Sequence, residues 1–212
     1  METIKLAKKV LYTGNITLVT GLHIGGTNAS LNIGGPDKFV VRNPINQIPY
    51  IPGSSLKGKM RALVEIYNGE SLNGKPSNNP KSKSGSLFGT SGDNDQSHPS
   101  RLIVRDAELD IKSCDLNKTD LLYTESKTEV SIDRITAKAN PRTFERVPAG
   151  AKFRLNMVLN VFEGEDEAKL KATINQAIKL LEDDYLGGQG SRGYGQVKIE
   201  LDNPEGIDVI YE

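Results

Sequence analysis

The stretch Ala151-Lys-Phe-Arg-Leu-Asn-Met-Val-Leu-Asn-Val-Phe162 is followed, after a short acidic turn, by Asp166-Glu-Ala-Lys-Leu-Lys-Ala-Thr-Ile-Asn-Gln-Ala-Ile-Lys-Leu-Leu-Glu-Asp-Asp-Tyr185, and the change of period between them decides the fold. In the first, Phe153, Leu155, Met157, Leu159 and Val161 alternate with other residues, the period of a strand. In the second, Leu170, Ile174, Ala177, Ile178 and Leu181 recur three or four apart, the stripe of a helix buried on one face. Working outward, Val197 to Leu201 reads as a closing strand and Arg101 to Leu109 as an earlier one. Before that, Leu56, Met60, Leu63, Val64 and Tyr67 mark a helix that Ser54 or Ser55 can cap. Val10 to Thr20, rich in β-branched residues, is a first strand with Ile16, Leu18 and Thr20 on one face.

Strand, helix, strand, strand, helix, strand is the split βαββαβ order, which predicts an α+β, ferredoxin-like (RRM-like) core with both helices on one face of an antiparallel sheet. RNA-recognition modules use the open face of such a sheet, although their aromatic stacking signature is missing here. Asn68 to Ser100 is dominated by Ser, Asn, Gly, Pro and Lys, interrupted only by Leu87-Phe88, and predicts a mobile surface insertion (68–100). Residues 121–147 are too long for a hairpin turn and predict a projecting arm. The whole chain, 1–212, suits one elaborated domain.

With 27 Lys+Arg against 27 Asp+Glu, global charge argues for no partner, so segregation matters more. Lys38, Arg42, Lys57, Lys59 and Arg61 lie in a stretch without an acid, whereas Glu163 to Asp184 is acidic. A basic stripe with an acidic back gives a polyanion one direction of approach. The lone Cys114 excludes an intramolecular disulfide framework and a cysteine-cluster zinc site, and a reducing cytoplasm is the expected location. Neither a signal peptide nor a run of the roughly 20 apolar residues needed to span a bilayer is expected.

Four strings carry chemistry. Gly187-Gly-Gln-Gly-Ser-Arg-Gly-Tyr-Gly195 joins glycines (Gly190 and Gly193 among them) to Ser191, Arg192 and Tyr194, a composition that lets backbone N–H groups approach phosphate, Arg192 fork onto it and Tyr194 offer a face to a base. Its dull alternative is a glycine-rich turn with a surface arginine. The order helix, loop, strand rejects a Rossmann fingerprint. Gly53-Ser-Ser-Leu-Lys-Gly-Lys59 has P-loop spacing, but Met60 stands where Ser or Thr must hold Mg²⁺, so a nucleotide hydrolase is the weaker reading. Ser54 and Ser55 at a helix N-terminus with Lys57, Lys59 and Arg61 make an anion site without catalysis, Lys57 and Arg61 sharing one exposed face. His23, in Gly21-Leu-His-Ile-Gly-Gly26, either donates to a phosphate, stacks on a base or pins its turn. Asp37, after Gly34-Gly35-Pro36, is ordinary turn chemistry by composition alone.

Taken together, Gly21–Gly26, Ile51–Arg61, Ile132-Asp-Arg-Ile-Thr-Ala-Lys-Ala-Asn-Pro-Arg142 and the terminal glycine-rich loop resemble the RAMP superfamily of CRISPR-associated proteins, and within it the backbone, conventionally third, subunits of type III-A (Csm) effector complexes. The resemblance runs from about Val10 to Leu201. It implies a filament of further copies stacked along a CRISPR guide RNA beside other subunits of the complex, RNA contacts that include Arg134 and Arg142, and an arm, Ser131 to Val147, pushed between guide and target RNA. It also implies that Asp37, with a divalent metal such as Mg²⁺, cuts the paired target RNA. A scaffold of the same superfamily, with Asp37 only a turn residue, is the alternative.

Overall fold

The computed structural model describes residues 4–26, 36–71, 73–91, 97–113, 115 and 118–211. Cys114, Gly34, Gly35 and residues 92–96 of the predicted insertion lie outside them. The elements are β1 (Leu6–Leu18), β2 (Tyr50–Ile51), α1 (Gly53–Asn68), α2 (Lys83–Phe88), β3 (Leu102–Val104), β4 (Ala107–Asp110), β5 (Glu125–Ile132), β6 (Ala139–Arg146), β7 (Lys152–Phe162), α3 (Glu167–Glu182), β8 (Val197–Leu201) and β9 (Ile207–Val209). Among the described residues the main sheet runs β2-β4-β7-β1-β8, with β3 also on β7 and β9 also on β1. Every pair of these strands is antiparallel. With β3 and β4 as the second strand, this is the ferredoxin-like arrangement that the alternating periods predict.

β1 and β7 form the spine, paired from Leu6 opposite Phe162 to Thr17 opposite Lys152 with one register shift between Leu6 and Lys8. Strand side chains alternate between faces, so Val10, Tyr12, Ile16 and Leu18 of β1 meet Phe153, Leu155, Met157, Leu159 and Val161 of β7 on one side. Leu56, Met60 and Val64 of α1 and Leu170, Ile174, Ala177, Ile178 and Leu181 of α3 close the same core from above. α3 starts where the sequence places it, because the Asp166 side chain accepts the Lys169 N–H at 3.1 Å and satisfies a first-turn donor.

Three expectations need correction. Arg101 to Leu109 is two short strands, broken where Asp106 turns its carboxylate to the Gly53 N–H at 2.7 Å. That contact caps α1 from 53 residues away, in place of Ser54 or Ser55, neither of which makes a side-chain cap. Tyr67 is exposed rather than part of the α1 stripe, and Glu65 is buried in its stead, accepting from Arg61 Nε at 2.7 Å and the Ser77 N–H at 3.0 Å. Finally, the stretch 68–100 does not run wholly over the surface. It contains α2, whose first N–H groups are taken by the Glu70 carboxylate, at 2.9 Å from Lys83 and 3.0 Å from Ser84. Leu87 and Phe88 thereby enter the core, where polar composition alone predicts no packing.

β5 and β6 form a separate two-stranded sheet, Glu125 opposite Arg146 at its root and Ile132 opposite Ala139 near its tip. Residues 131–140 are all exposed.

Candidate functional site

Asp37 stands at the root of the hairpin. Its N–H donates to the Thr143 carbonyl at 2.9 Å, and its Oδ2 accepts the Thr143 N–H at 2.7 Å. The chain then runs along β6. Lys38 accepts from the Glu145 N–H through its carbonyl, and Val40 donates to Glu145 Oε2 at 2.8 Å. Glu145 is only 2 % exposed, and its other oxygen takes Arg42 Nη2 and, at 2.7 Å, the Thr124 hydroxyl. A buried carboxylate is stable here because three donors reach it, one of them the Arg42 counter-charge. The result fixes the Asp37 segment to the arm while leaving Asp37 itself exposed.

His23 lies on the other side of β6. Its Nδ1 is 2.7 Å from the Glu145 carbonyl and therefore carries the proton, its ring meets Phe144 edge-on at 6.0 Å, and its carbonyl accepts the Gly188 N–H at 2.8 Å. At 6 % exposure the ring has no face to give a base, so the stacking reading is replaced by the turn-pinning one. Tyr194 is corrected likewise: it is 1 % exposed, with Lys127 Nζ 4.5 Å and Arg146 Cζ 5.0 Å from its ring centre. Cations over an aromatic face hold the glycine-rich loop to the arm root. Burial pushes the Tyr194 phenol up to about 12, and Glu129 adds to the rise, although no hydrogen bond of ordinary geometry reaches the hydroxyl.

The loop's glycines answer to packing. A Cβ on Gly190 would sit 2.0 Å from the Tyr185 ring, and Gly187, at φ +77°, would meet the His23 carbonyl at 2.4 Å. A short 3-10 turn spans Gly190–Arg192. Beside it, Ser191 and Gly193 line an open hollow of about 510 Å³ that Asp183 and Asp184 also flank. Arg192 is exposed and reaches Gln189 Oε1 at 2.9 Å and Glu129 Oε2 at 3.4 Å.

The basic face predicted on α1 is largely spent on the protein. Lys57 is half-buried with Nζ 2.7 Å from the Ser100 hydroxyl, and desolvation, then Arg61 one turn on, lowers its pKa. Arg61 holds Glu65 and the Ser77 carbonyl. Lys59 turns away to Asp184 at 2.7 Å and sits 3.7 Å from the Tyr185 ring centre. Ser54 is exposed and Ser55 partly so, but the adjacent Gly53 N–H already faces the Asp106 carboxylate, which opposes a phosphate and removes the P-loop reading. The predicted residues thus divide. Asp37, His23, Gly190, Ser191, Arg192, Gly193 and Tyr194 gather around β6 or the loop it meets, whereas Lys57 and Arg61 serve the insertion.

Arg134 and Arg142, on the arm, are exposed and make no ion pair or side-chain hydrogen bond among the described residues. Residues missed by the sequence reading are Glu145, Thr124 and Thr143, whose contacts lie 21 to 106 positions away along the chain. Among the described residues no three His, Cys, Asp or Glu side chains cluster to hold a metal. No helix of the described residues is long and apolar enough to cross a membrane.

The sequence model of the RAMP superfamily matches residues 15–198. A protein of Methanocaldococcus jannaschii named CRISPR system Cms endoribonuclease Csm3 is 44% identical over 207 residues, covering 94% of this chain and 82% of its own. One of Streptococcus thermophilus with the same name is 45% identical over 200 residues, covering 91% and 87%. In three dimensions the chain is similar to one in a Csm3-Csm4 subcomplex of the type III-A CRISPR-Cas interference complex, with 33% identity, a TM-score of 0.61 and coverage of 93% of this chain and 78% of that one. A type III-B Cmr-beta complex bound to cognate target RNA contains a chain of the same fold, at 18% identity and a TM-score of 0.62, covering 93% of this chain and 62% of that one. On a match that spans most of its length and relatives this similar over nine-tenths of it, the chain belongs to the RAMP superfamily and, within that, to the Csm3 endoribonuclease family.

Proposed function

We propose that this chain is a guide-RNA-binding backbone subunit of a type III-A CRISPR effector in the cytoplasm, and that it cuts complementary target RNA with Asp37 as its catalytic carboxylate. The observation that carries the assignment is an exposed carboxylate held by reciprocal hydrogen bonds to Thr143 at the root of the arm. An acid so fixed has one oxygen committed to the backbone and the other free for chemistry. Partners are guide RNA, target RNA, further copies in a filament and the other subunits of the complex.

The RNA supplies its own nucleophile. When a nucleotide is unstacked, its 2′-hydroxyl can align with the adjacent phosphate, and orientation of this kind contributes several kcal/mol. Attack by the 2′-oxygen forms the cyclic phosphate and expels the 5′-oxygen, which takes a proton from solvent, so the ends are 2′,3′-cyclic phosphate and 5′-hydroxyl. Asp37 Oδ1 accepts the 2′-hydroxyl proton or holds a cation. A lone carboxylate does not fit a metal caged by protein, but it fits Mg²⁺, which keeps several waters and binds through one or two carboxylates plus substrate phosphates. When bound, the cation stabilises charge on the phosphate oxygens. Arg134, Arg142 and Arg192 are the exposed cations placed to meet phosphates.

The scaffold reading draws on the same hydrogen bonds, because a carboxylate tied to Thr143 is also what a structural turn needs. Asp37→Ala in assembled complexes separates the two. Assembly and target binding persist while cutting in magnesium falls by roughly a hundredfold or more, the scale of a missing general base. Cutting at the wild-type rate would overturn the catalytic assignment.

A further inference from the structure

A carboxylate beside a phosphodiester needs a cation near both, because the two groups are anionic and the phosphate gains further charge as the 2′-oxygen attacks. Most cations around Asp37 already serve the protein. Arg42 gives its guanidinium to Glu145, Thr124 and the carbonyls of Leu122 and Gln47. Arg146 is bonded to Glu125 and stands over the Tyr194 ring, which Lys127 also faces. These side chains hold the arm root together.

Lys38 is different. It follows Asp37 directly, is exposed, and makes no ion pair or side-chain hydrogen bond among the described residues. Its backbone is nevertheless fixed. The Lys38 carbonyl accepts the Glu145 N–H at 3.0 Å, and Lys38 pairs with Phe144 of β6, the residue after the Thr143 that holds Asp37. Asp37 and Lys38 are thus tied in turn to neighbouring residues of one strand. Adjacent Cα atoms lie about 3.8 Å apart and a lysine carries its charge on a flexible four-carbon stem, so the ammonium can reach a phosphate beside the Asp37 carboxylate. The anchor is set, and only the charged end is free.

We infer that Lys38 is a second catalytic residue, whose ammonium neutralises the non-bridging oxygens of the scissile phosphate as charge builds on them. This rests on the reading that Asp37 is the catalytic carboxylate. In the step itself the 2′-oxygen bonds to phosphorus as its proton passes to Asp37 Oδ1, the bond from phosphorus to the 5′-oxygen breaks, and the 5′-oxygen takes a proton from solvent. Lys38 keeps its own proton throughout, so it supplies charge and not acidity. The contact strengthens as the phosphate gains charge, and an interaction stronger in the transition state than in the ground state raises rate more than affinity.

Assembled complexes with saturating target RNA and magnesium isolate the cutting step. Lys38→Ala should slow it about tenfold to a hundredfold, less than the loss of a rigid buried donor because the side chain is exposed. Target affinity should stay within about twofold. Lys38→Arg keeps the charge and cannot give up a proton, so it should restore the rate to within about threefold. A phosphorothioate at each non-bridging position of the scissile linkage, tried in turn, gives a readout that a structural role would not move: at least one should slow the wild type more than it slows Lys38→Ala. Equal slowing of the two proteins, or of neither, overturns the proposal, as does a Lys38→Arg variant as slow as Lys38→Ala. An unchanged rate in Lys38→Ala with Asp37→Ala inactive overturns it and leaves the nuclease reading standing. Slow cutting by Lys38→Ala with Asp37→Ala at the wild-type rate overturns the Asp37 assignment and leaves Lys38. Loss of assembly, or of target affinity in step with rate, makes Lys38 a binding contact and also overturns the proposal.

Discussion

α1 and the arm are both basic in sequence, yet they spend their charge differently. On α1, Lys57 meets Ser100, Lys59 meets Asp184 and Arg61 meets Glu65, each side chain partly buried. On the arm, Arg134 and Arg142 stand exposed, without ion pairs among the described residues. A cation counted in a sequence is therefore not yet a binding site. Its neighbours decide whether it holds the fold or is left for a ligand; here the helix layer does the first, while the hairpin leaves its arginines unpaired among the described residues, as the proposed RNA contacts require.

If that division is right, the helix side should respond in stability. The largest effect is expected at Leu87, fully buried from the insertion, where Leu87→Ala should cost roughly 2–5 kcal/mol in denaturant unfolding through lost transfer energy and a cavity. A cost near zero would return the insertion to the surface and break the comparison. Next comes Arg61→Ala, which leaves the buried Glu65 carboxylate with the Ser77 N–H but no counter-charge. About 2–4 kcal/mol should be lost, the scale of breaking a buried pair from one side. Loss of RNA affinity with unchanged stability would move Arg61 to the RNA-binding set.

The arm should respond in binding instead. Arg134→Ala and Arg142→Ala should leave the melting temperature within a degree or so, since exposed unpaired side chains contribute little to folding. Each should weaken RNA binding alike across sequences and reduce the salt dependence of log K by about one. A sequence-selective loss would mean that the arm reads bases by direct contact.

These contrasts track what the sequence makes visible. β1, α1, β7, α3 and β8 are legible because each repeats an apolar residue at its own period, and a period survives without knowledge of tertiary partners. The break between β3 and β4 is not, because its cause is Asp106 reaching the N-terminus of α1. Packing of Leu87 and Phe88 is hidden by polar neighbours and depends on Glu70 capping α2 from 13 positions away. At the candidate site, the roles proposed for Asp37 and the arm arginines come only from resemblance, while the Glu145 hub was not legible, because its donors Val40, Arg42 and Thr124 are brought together only by folding. Tyr194 was legible as an aromatic beside glycines, but its use was not: the cations that cover it come from the arm.

Tyr194 supplies the smallest and most local prediction, on the seam between the two regions. Its hydroxyl is buried without a hydrogen bond, so Tyr194→Phe removes an unsatisfied group and should change stability at neutral pH by less than about 1 kcal/mol. Alkaline solution distinguishes the two proteins. The phenol titrates near 12 in the fold against 10.0 ordinarily, so the folded state holds its proton longer than the unfolded chain does. The sign follows: the contribution is fully present below pH 10 and is lost as pH rises toward 12, by on the order of 2 kcal/mol for that difference in pKa. Tyr12 is shifted in the same direction to about 12 by burial, so Tyr194→Phe should remove about half of the part of the decline that the two phenols cause. Denaturant midpoints compared at pH 9 and pH 11.5 check this. A decline that Tyr194→Phe leaves intact would mean that the Tyr194 ring is not sealed by Lys127 and Arg146, and that the arm root opens enough to hydrate it.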